Sequence, residues 1–376
     1  MKFWFRLPQY TKIFVMIALG AIVGYFLGPK VKVLQPLGDG FIRLLKMLIV
    51  PLVFFTLVSG VTKLGSPKEL KKIGGFIVIY YILTSALAAF IGTMGGLIFR
   101  PGLGAQGLLG DVTTMSVAKY NVVETLLNWI PTNPVQAMAE ASMLQIIIFS
   151  LFVGVALLVL GNKARAVTDF MNQGADTVIK ITELVMEVAP YGIFALVANM
   201  VGTLGSKMLS AAAKFIMTDY ISILFVILFV YPLLIVLIGK GKLPVFKFFQ
   251  RIFPAMVVAA STTSSATTLP VEMKIAEEKL GVPNKIFGFS LPLGNTANMD
   301  GFAAAVGVIS IFALDIFNIP LSIGTIVQVV FLGLILSVGA AGVKGAGIVM
   351  SAVLFETLGL PLTLLPTLAA VWPIID

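Results

Sequence analysis

The sequence predicts an all-α polytopic membrane protein with about eight transmembrane helices. Hydrophobic residues make up 59% of the 376 positions and charged residues only 11%, whereas soluble domains carry about 25% charged residues. Several apolar stretches approach or exceed the ~20 residues that cross a hydrocarbon core of ~30 Å. They include 13–27, 47–61, 73–99 and 143–160. Basic residues cluster in the short segments between such stretches, which is typical of membrane topology.

The N-terminal segment is predicted to be a retained first helix rather than a signal peptide. Lys2 and Arg6 precede the apolar stretch 13–27, as basic residues precede the apolar region of a signal peptide. No small-residue cleavage site follows, and further spans do, so we favour a helix that stays in the mature chain. We expect a multi-pass protein of the cell (plasma) membrane with a cytoplasmic N-terminus, because the positive-inside rule assigns the basic clusters to the cytoplasm. These clusters are Lys2, Arg6, Lys12; Lys63, Lys68, Lys71, Lys72; Lys163, Arg165; and Lys240, Lys242, Lys247, Arg251.

The net charge of +9 follows from this topology, so the lipid bilayer and not nucleic acid is the predicted partner. The sequence contains no histidine, which removes the commonest proton relay and the commonest transition-metal ligand. Any cation is therefore expected to be bound by oxygen atoms. No histidine is available to activate a serine, and no pair of intramembrane aspartates is evident. The chain is predicted not to be an enzyme.

Two apolar stretches near the C-terminus are broken in the middle by small or hydroxyl residues. In the first, the run 261–268 holds seven hydroxyl side chains in eight residues. In the second, the run 337–347 is composed mainly of glycine, alanine and serine. Such paired interruptions point to a transporter binding site, because unwound backbone at membrane depth must line a cavity or be buried in protein. The alternative is that small residues only allow close helix packing.

Between the two broken stretches, Asp300 lies in the run 292–301, where its neighbours include amide, hydroxyl and glycine residues. A carboxylate near the centre of a membrane helix costs about 2.5–3.5 kcal/mol, so such a residue is a functional candidate. Its neighbours can break the helix and turn carbonyl oxygens towards a hard cation such as sodium. The alternative is a loop outside the membrane, where these residues mark a turn.

In the third span, Tyr81, Thr84 and Ser85 stand at i, i+3 and i+4 and therefore share one helical face. They are candidate cation ligands. The alternative is that the two hydroxyls bond back to carbonyls of their own helix and that Tyr80 and Tyr81 belong to an interfacial aromatic belt.

At these positions the sequence resembles the glutamate/aspartate and dicarboxylate:sodium symporters. The resemblance rests on Thr268-Leu269-Pro270, on the stretch from Pro292-Leu293-Gly294 to Asn298-Met299-Asp300-Gly301, and on the run 337–347. It extends over almost the whole chain, including Tyr80-Tyr81 and Thr84-Ser85. The Asn-Met-Asp-Gly signature between two hairpin tips is highly specific.

The resemblance implies an elevator-type homotrimer, in which a transport domain moves against a fixed scaffold. The scaffold would comprise residues 1–69 (spans 1–2) and 101–206 (spans 4–5). The transport domain would comprise residues 70–100 (span 3) and 207–376. The latter segment would hold span 6, a first re-entrant helical hairpin, span 7, a second re-entrant hairpin and the start of span 8.

The resemblance also implies a set of ligands for sodium, which would be the coupling ion rather than a catalytic cofactor. One site would use Tyr81, Thr84, Ser85, Asn298 and Asp300; a second would use carbonyls of Thr296, Ser337, Val338 and Ala340; a third would use carbonyls of Gly294 and Asn298. The substrate would contact Ser264, Ser265, Met299, Phe302, Val343, Gly345, Ala346, Gly347 and Asp376. The second hairpin would act as the gate.

Two departures from the family pattern bear on the substrate. Phe302 replaces a threonine that usually faces the substrate, and Trp372 replaces the first of two aspartates in the last span, with Asp376 at the second position. Both predict a bulkier and more apolar pocket than an acidic amino acid requires. The resemblance implies a sodium-coupled symporter for a small amino acid or dicarboxylate. The alternatives are a proton-coupled symporter, or an uncoupled facilitator or anion-conducting channel of the same fold.

Overall fold

A computed structural model describes residues 9–62, 75–109, 127, 130–239, 244–339 and 345–376. Within these residues the chain forms α-helices joined by short turns, and the described part contains no strand. This confirms the predicted all-α class. The helices of the first half are α1 (Gln9–Leu27), α2 (Gln35–Thr62), α3 (Gly75–Phe99), α4 (Pro134–Ala139), α5 (Met143–Leu160) and α6 (Arg165–Asn199).

The second half contains shorter helices with more interruptions. Its helices are α7 (Gly205–Phe225), α8 (Tyr231–Gly239), α9 (Val245–Thr262), α10 (Ser265–Glu278), α11 (Asn284–Ala297), α12 (Asp300–Ile316), α13 (Ile323–Gly339), α14 (Ala346–Leu358) and α15 (Leu365–Ile375). A π-helical turn at Val226–Val230 joins α7 to α8 without a loop. Together, α7 and α8 make one long apolar rod.

Five helical stretches of the described residues are long and apolar enough to cross a membrane. They are Thr11–Thr62, Gly75–Phe99, Gln145–Glu187, Lys207–Gly239 and Ile286–Ile316. The first contains both α1 and α2, which a 3-10 turn at Gly28–Leu34 connects. Shorter apolar helices follow in the C-terminal part. A multi-pass membrane protein is the architecture these lengths support.

Helices α1, α2, α5 and α6 pack against one another as a first group. Helix α2 contacts both α5 and α6, and α1 lies along α6. A hydrogen bond of 2.7 Å from Ser59 Oγ to Asn172 Oδ1 joins α2 to α6. A paired polar contact of this kind satisfies groups that would be costly to leave alone inside a membrane.

Helix α3 packs mainly outside that group, against α12, α13 and α7. The approach to α12 is very close, because a Cβ on Gly92 would lie 1.9 Å from the carbonyl oxygen of Ala304. Small residues at such crossings let membrane helices pack backbone to backbone. At the ends of the same two helices, Arg100 forms a bidentate ion pair with the fully buried carboxylate of Asp315, with Nη2–Oδ1 at 2.6 Å and Nε–Oδ2 at 3.1 Å. Helices α3 and α12 are therefore fixed to each other along their length.

Helices α9 and α10 form a helical hairpin whose tip lies in the predicted hydroxyl-rich run. The run is more helical than its composition suggests, since only Thr263 and Ser264 separate the two helices. Thr263 adopts a left-handed conformation with φ of 49°. The Ser264 Oγ accepts a hydrogen bond from the Thr267 N–H at 3.3 Å and so caps α10. The hairpin tip is compact.

Helices α13 and α14 flank the second interrupted run. Helix α13 continues through Ser337 and Val338 to Gly339, and α14 begins at Ala346 after Gly345. The tip between them, with Ala340 and Val343, lies outside the described residues.

Candidate substrate and cation site

A break in the chain between α11 and α12 positions the central carboxylate. Helix α11 ends at Ala297, Asn298 and Met299 are not helical, and α12 begins with Asp300. Asp300 is only 5% exposed. Its place in the first turn of α12 is favourable, because the positive end of the helix dipole stabilises a negative charge there.

Both oxygens of the Asp300 carboxylate accept hydrogen bonds from other helices. Ser85 Oγ of α3 donates to Oδ1 at 2.8 Å, and the Tyr231 hydroxyl of α8 donates to Oδ2 at 2.9 Å. Buried carboxylates need such partners, because an unpaired charge in an apolar medium is very costly. Three separate helices therefore converge on this one side chain.

The amide of Asn298 lies at the centre of a cluster of oxygen atoms. One terminal atom of the amide is 3.0–3.1 Å from Thr84 Oγ1, Ser85 Oγ, Asp300 Oδ1 and the carbonyl oxygen of Tyr81. With its nitrogen turned to this side, the amide donates to these atoms. With its oxygen turned to this side, five oxygens are close together, four of them 3.0–3.1 Å from the fifth, and a bound cation would stabilise such an arrangement.

The structure agrees in part with each of the two sequence interpretations of Tyr81, Thr84 and Ser85, as cation ligands or as residues bonded to their own helix. The Tyr81 hydroxyl leaves the cluster and donates to the Ser290 carbonyl of α11 at 2.8 Å, so only the Tyr81 carbonyl belongs to the cluster. Thr84 Oγ1 bonds back to that carbonyl at 3.2 Å and also reaches Asn298 at 3.0 Å. Ser85 forms its hydrogen bonds across to α12 and Asn298.

The cluster is suited to a hard monovalent cation. The described residues contain no group of three or more histidine, cysteine, aspartate or glutamate side chains that could hold a metal. The available donors are one carboxylate, one amide, two hydroxyls and a backbone carbonyl. Oxygen donors with a single negative charge at a broken membrane helix are typical of sodium sites in transporters.

A cavity of about 600 Å³ adjoins this cluster. Asn298 and Asp300 lie in its wall, together with the tip of the first hairpin, the start of α14 and the end of α15. Of the predicted substrate residues, those that line it are Ser264, Ser265, Met299, Phe302, Ala346, Gly347 and Asp376. Gly294, a predicted sodium ligand, also lines it. The structure thus brings most of the predicted substrate set around one space.

The remaining predicted residues have other positions. Gly345 donates its N–H to Asp376 Oδ2 at 3.2 Å and so ties the start of α14 to the end of α15. Ser337 is buried, its hydroxyl bonds to the Leu334 carbonyl at 2.7 Å, and neither it nor Val338 is among the described residues that line the cavity. The carbonyl of Gly294 accepts from the Asn298 N–H at 3.0 Å. Thr296 lies in the last turn of α11, and Ala340 and Val343 fall outside the described residues.

Sequence reasoning missed one site residue and one buried carboxylate elsewhere in the helices. Tyr231, the second donor to Asp300, stands within the apolar run 221–239, and its hydroxyl was the available signal. Asp219 of α7 is only 1% exposed, and its Oδ1 has no partner among the described residues. Asp219, Asp300 and Asp315 are all buried in apolar helices, whereas sequence reasoning singled out only Asp300. A carboxylate within an apolar run was the available signal for Asp219.

Comparison with known proteins gives the family. The model of the sodium:dicarboxylate symporter family matches residues 10–376. The chain belongs to this family. A proton/sodium-glutamate symport protein of Bacillus caldotenax is 32% identical over 379 residues, covering 97% of this chain and 88% of the relative. The C4-dicarboxylate transport protein 1 of Ralstonia nicotianae is 33% identical over 367 residues, which cover 96% of this chain and 83% of the relative. A C4-dicarboxylate transport protein of Bacillus subtilis is 30% identical over 348 residues, which cover 91% of this chain and 82% of the relative.

Membership of the sodium:dicarboxylate symporter family confirms several predictions made from the sequence. The chain is a multi-pass membrane transport protein and not an enzyme. The family resemblance noted at Asn298-Met299-Asp300-Gly301 is confirmed over the whole matched length. The break that carries this signature is the one that positions Asp300 at the cavity.

Proposed function

We propose that the chain is a secondary active symporter that moves a small amino acid or dicarboxylate across the membrane together with sodium. The observation that carries the proposal is the oxygen cluster of Tyr81, Thr84, Ser85, Asn298 and Asp300 beside the cavity. A cation in the cluster would share a wall with a solute in the cavity. Each bound species would then change the affinity for the other, which is the physical basis of coupling.

The driving force suffices for uphill transport. Each sodium ion moving inward gains about 2.3 kcal/mol per 100 mV of membrane potential, before any concentration gradient. One or more coupled ions can therefore drive the accumulation of a solute. Tight coupling requires that the gate close only when ion and solute are both present, which means that they bind the closed state better than the open one.

The proposed gate is the second hairpin, α13 and α14. Its described edge is held at the cavity by the hydrogen bond from Gly345 N–H to Asp376 Oδ2. A solute that contacts Ala346 and Gly347 would add contacts in the closed state only. This edge also meets the first helix group, because a Cβ on Gly345 would lie 2.4 Å from the sulfur of Met186.

The movement that we propose is an elevator movement of residues 70–100 and 207–376 against residues 1–69 and 101–206. In support, the helix group of α1, α2, α5 and α6 and the group around α3, α7, α12 and α13 each pack mainly within themselves. The proposal includes two re-entrant hairpins, a homotrimer held by the scaffold, and a cytoplasmic N-terminus in the plasma membrane. The basic clusters of the sequence support that orientation.

The substrate class follows from the relatives and is narrowed by the cavity. The similar proteins are named for glutamate and for C4-dicarboxylates, so a small carboxylate is the proposed solute. The edge-to-face pair of Phe302 and Trp372, with ring centroids 6.1 Å apart, forms an apolar wall. That wall favours a solute with a compact apolar part.

Sodium binding is tested by thermal unfolding of the purified protein in sodium against choline. Sodium at 100 times its Kd should stabilise the wild type by about 2.7 kcal/mol. The response should disappear in Asp300→Asn, which keeps the shape of the side chain and removes its charge. Asp169→Asn is the matched control, because Asp169 is an exposed aspartate of α6, and it should respond like the wild type.

The same experiment separates the rival couplings. One relative is named a proton/sodium symport protein, so protons are the second candidate. If sodium does not change the thermal stability of the wild type, and the solute stabilises it more at lower pH, then protons rather than sodium are the coupling ion. A wild type whose solute response depends on neither ion would favour an uncoupled facilitator.

A further inference from the structure

The start of α14, residues Gly345 to Gly347, contacts a methionine of the first helix group. Met186 of α6 is only 4% exposed, and its sulfur lies in the space that a side chain at Gly345 would need. A Cβ on Gly345 would be 2.4 Å from Sδ, 2.9 Å from Cε and 3.1 Å from Cγ of Met186. Gly345 also has a φ of 75°, which glycine adopts without steric cost. The end of the Met186 side chain therefore packs directly on the backbone of the α14 start.

Helix α15 contacts the same three residues. The Gly345 N–H donates to Asp376 Oδ2 at 3.2 Å, and a Cβ on Gly347 would be 1.8 Å from Cζ2 of Trp372. The α14 start is thus in contact with two helices, α15 through Trp372 and Asp376, and α6 through Met186. In the proposed elevator movement, α15 travels with α14, whereas α6 belongs to the scaffold.

The α14 start is also part of the cavity wall. Ala346 and Gly347 line the cavity, and Ala346 is 2% exposed. Met186 is not among the described residues that line the cavity. It can therefore act on a bound solute only through the position that it gives to the α14 start.

We propose that Met186 is a positioning residue, which holds the α14 start against α15 and so keeps this part of the cavity wall in place around a bound solute. This inference rests on the proposed transport function, in which α14 belongs to the gate and α6 to the scaffold. The contact between Met186 and Gly345 joins the two, so it exists only while they have the relative position that the structure shows. Movement of the transport domain separates Met186 from Gly345 and frees the α14 start.

A single introduced cysteine reports movement of the α14 start. The sequence contains no cysteine, so Ala346→Cys has no background in labelling experiments. Intact-mass spectrometry measures the rate at which N-ethylmaleimide modifies this variant of the full chain in detergent. Because Ala346 is buried, modification requires the α14 start to move. Addition of Met186→Ala should raise the rate about tenfold or more, since three buried atoms that pack on Gly345 are lost.

Two further variants separate this effect from a general loss of packing. Met186→Leu keeps carbon atoms as far along the side chain as Sδ, and it should restore the slow labelling rate. Met200→Ala removes another buried methionine of the same core, fourteen residues further along the chain, or about 21 Å in a helix. It should lower the free energy of unfolding as Met186→Ala does and leave the labelling rate unchanged.

Met186→Val is the milder variant, and it takes the place of Met186→Ala if the alanine variant fails to fold. Valine lacks the two atoms nearest to the Gly345 position, Sδ and Cε, but leaves a smaller cavity than alanine does. Its labelling rate should lie between those of the alanine variant and the parent.

Solute binding gives a second readout, which needs no cysteine. Isothermal titration in sodium, with L-glutamate, L-aspartate and succinate as probes, compares the wild type with Met186→Ala and Met200→Ala. The Kd of the probe that binds should rise about tenfold in Met186→Ala and stay at the wild-type value in Met200→Ala. Stabilisation by sodium alone should persist in both, because Met186 is not part of the oxygen cluster around Asn298.

The outcomes separate this inference from the transport proposal. An unchanged labelling rate in Met186→Ala, an equal increase in Met200→Ala, or wild-type probe affinity in Met186→Ala overturns the role of Met186 and leaves the symporter proposal standing. A wild type that binds none of the three probes and is not stabilised by sodium overturns the symporter proposal, and the role of Met186 with it.

Discussion

Replacement of Gly347 by alanine would place a methyl group where the Trp372 ring already lies. The new Cβ would be 1.8 Å from Cζ2 of the indole, whereas carbon atoms in contact are about 3.5–4.0 Å apart. The indole must therefore move by roughly 1.7 Å or more to restore an ordinary contact. Its packing with Phe302 opposes that movement. Overpacking of this kind costs about 1–3 kcal/mol.

We expect Gly347→Ala to lower the free energy of unfolding by that amount and to weaken solute binding, because the displaced ring changes the cavity wall. Denaturant unfolding and titration with a carboxylate probe measure the two effects. Gly60→Ala is the matched control, since a Cβ there meets nothing within 4 Å in helix α2. It should leave both quantities unchanged or raise stability slightly.

A double-mutant cycle with Trp372→Leu examines the cause. The smaller side chain should restore much of the stability lost in Gly347→Ala, with a coupling free energy of about 1 kcal/mol or more. Solute binding should stay weak in the double variant, because leucine does not restore the aromatic wall that Trp372 forms with Phe302. Wild-type stability in Gly347→Ala, or strictly additive effects in the cycle, would refute the close contact.

Three further changes test other parts of the fold and site. Arg100→Leu should lower the free energy of unfolding by less than the about 3–5 kcal/mol typical of a broken buried ion pair, because the Asp315 carboxylate loses its partner while Arg100 itself is partly exposed. Denaturant unfolding measures the change, and an unchanged midpoint would contradict a stabilising role for this ion pair. Gly92→Ala should prevent normal folding, because the new Cβ would lie 1.9 Å from a backbone carbonyl oxygen of α12, and the backbone cannot move aside. A normal yield of folded protein in detergent would argue against the close packing of α3 on α12. Ser85→Ala should raise the sodium Kd about tenfold or more by removing one oxygen and one donor to Asp300; an unchanged sodium titration would remove Ser85 from the cation site.

The residues that sequence reasoning found are those whose chemistry conflicts with an apolar setting. Asp300 is a charge within a membrane stretch, and Asn298 beside it breaks the helix, so both are visible without a structure. Ser85 could be placed on the correct face from helical spacing alone. The direction of Tyr81 could not, because its hydroxyl reaches Ser290 of a helix more than 200 residues later.

Tertiary packing decided the features that the sequence left open. The hydroxyl-rich run is helical on both sides of Thr263, where α9 and α10 pack against each other as a hairpin, and Thr262 satisfies its hydroxyl on the Val258 carbonyl at 2.8 Å. Tyr231 became a site residue only through its contact with Asp300 across two helices. The space for Trp372 depends on the absence of a side chain at Gly347, a pairing that no local pattern encodes.

The most direct test of sodium-coupled transport is uptake of radiolabelled L-glutamate and succinate into proteoliposomes under an imposed sodium gradient. Proteoliposomes with wild-type protein should accumulate at least one of these solutes above its outside concentration when sodium is outside. This accumulation should stop when choline replaces sodium. Asp300→Asn should show no accumulation, and Asp169→Asn should match the wild type. Equal accumulation in sodium and choline, or accumulation driven by a pH gradient alone, would contradict the assignment of sodium as the coupling ion.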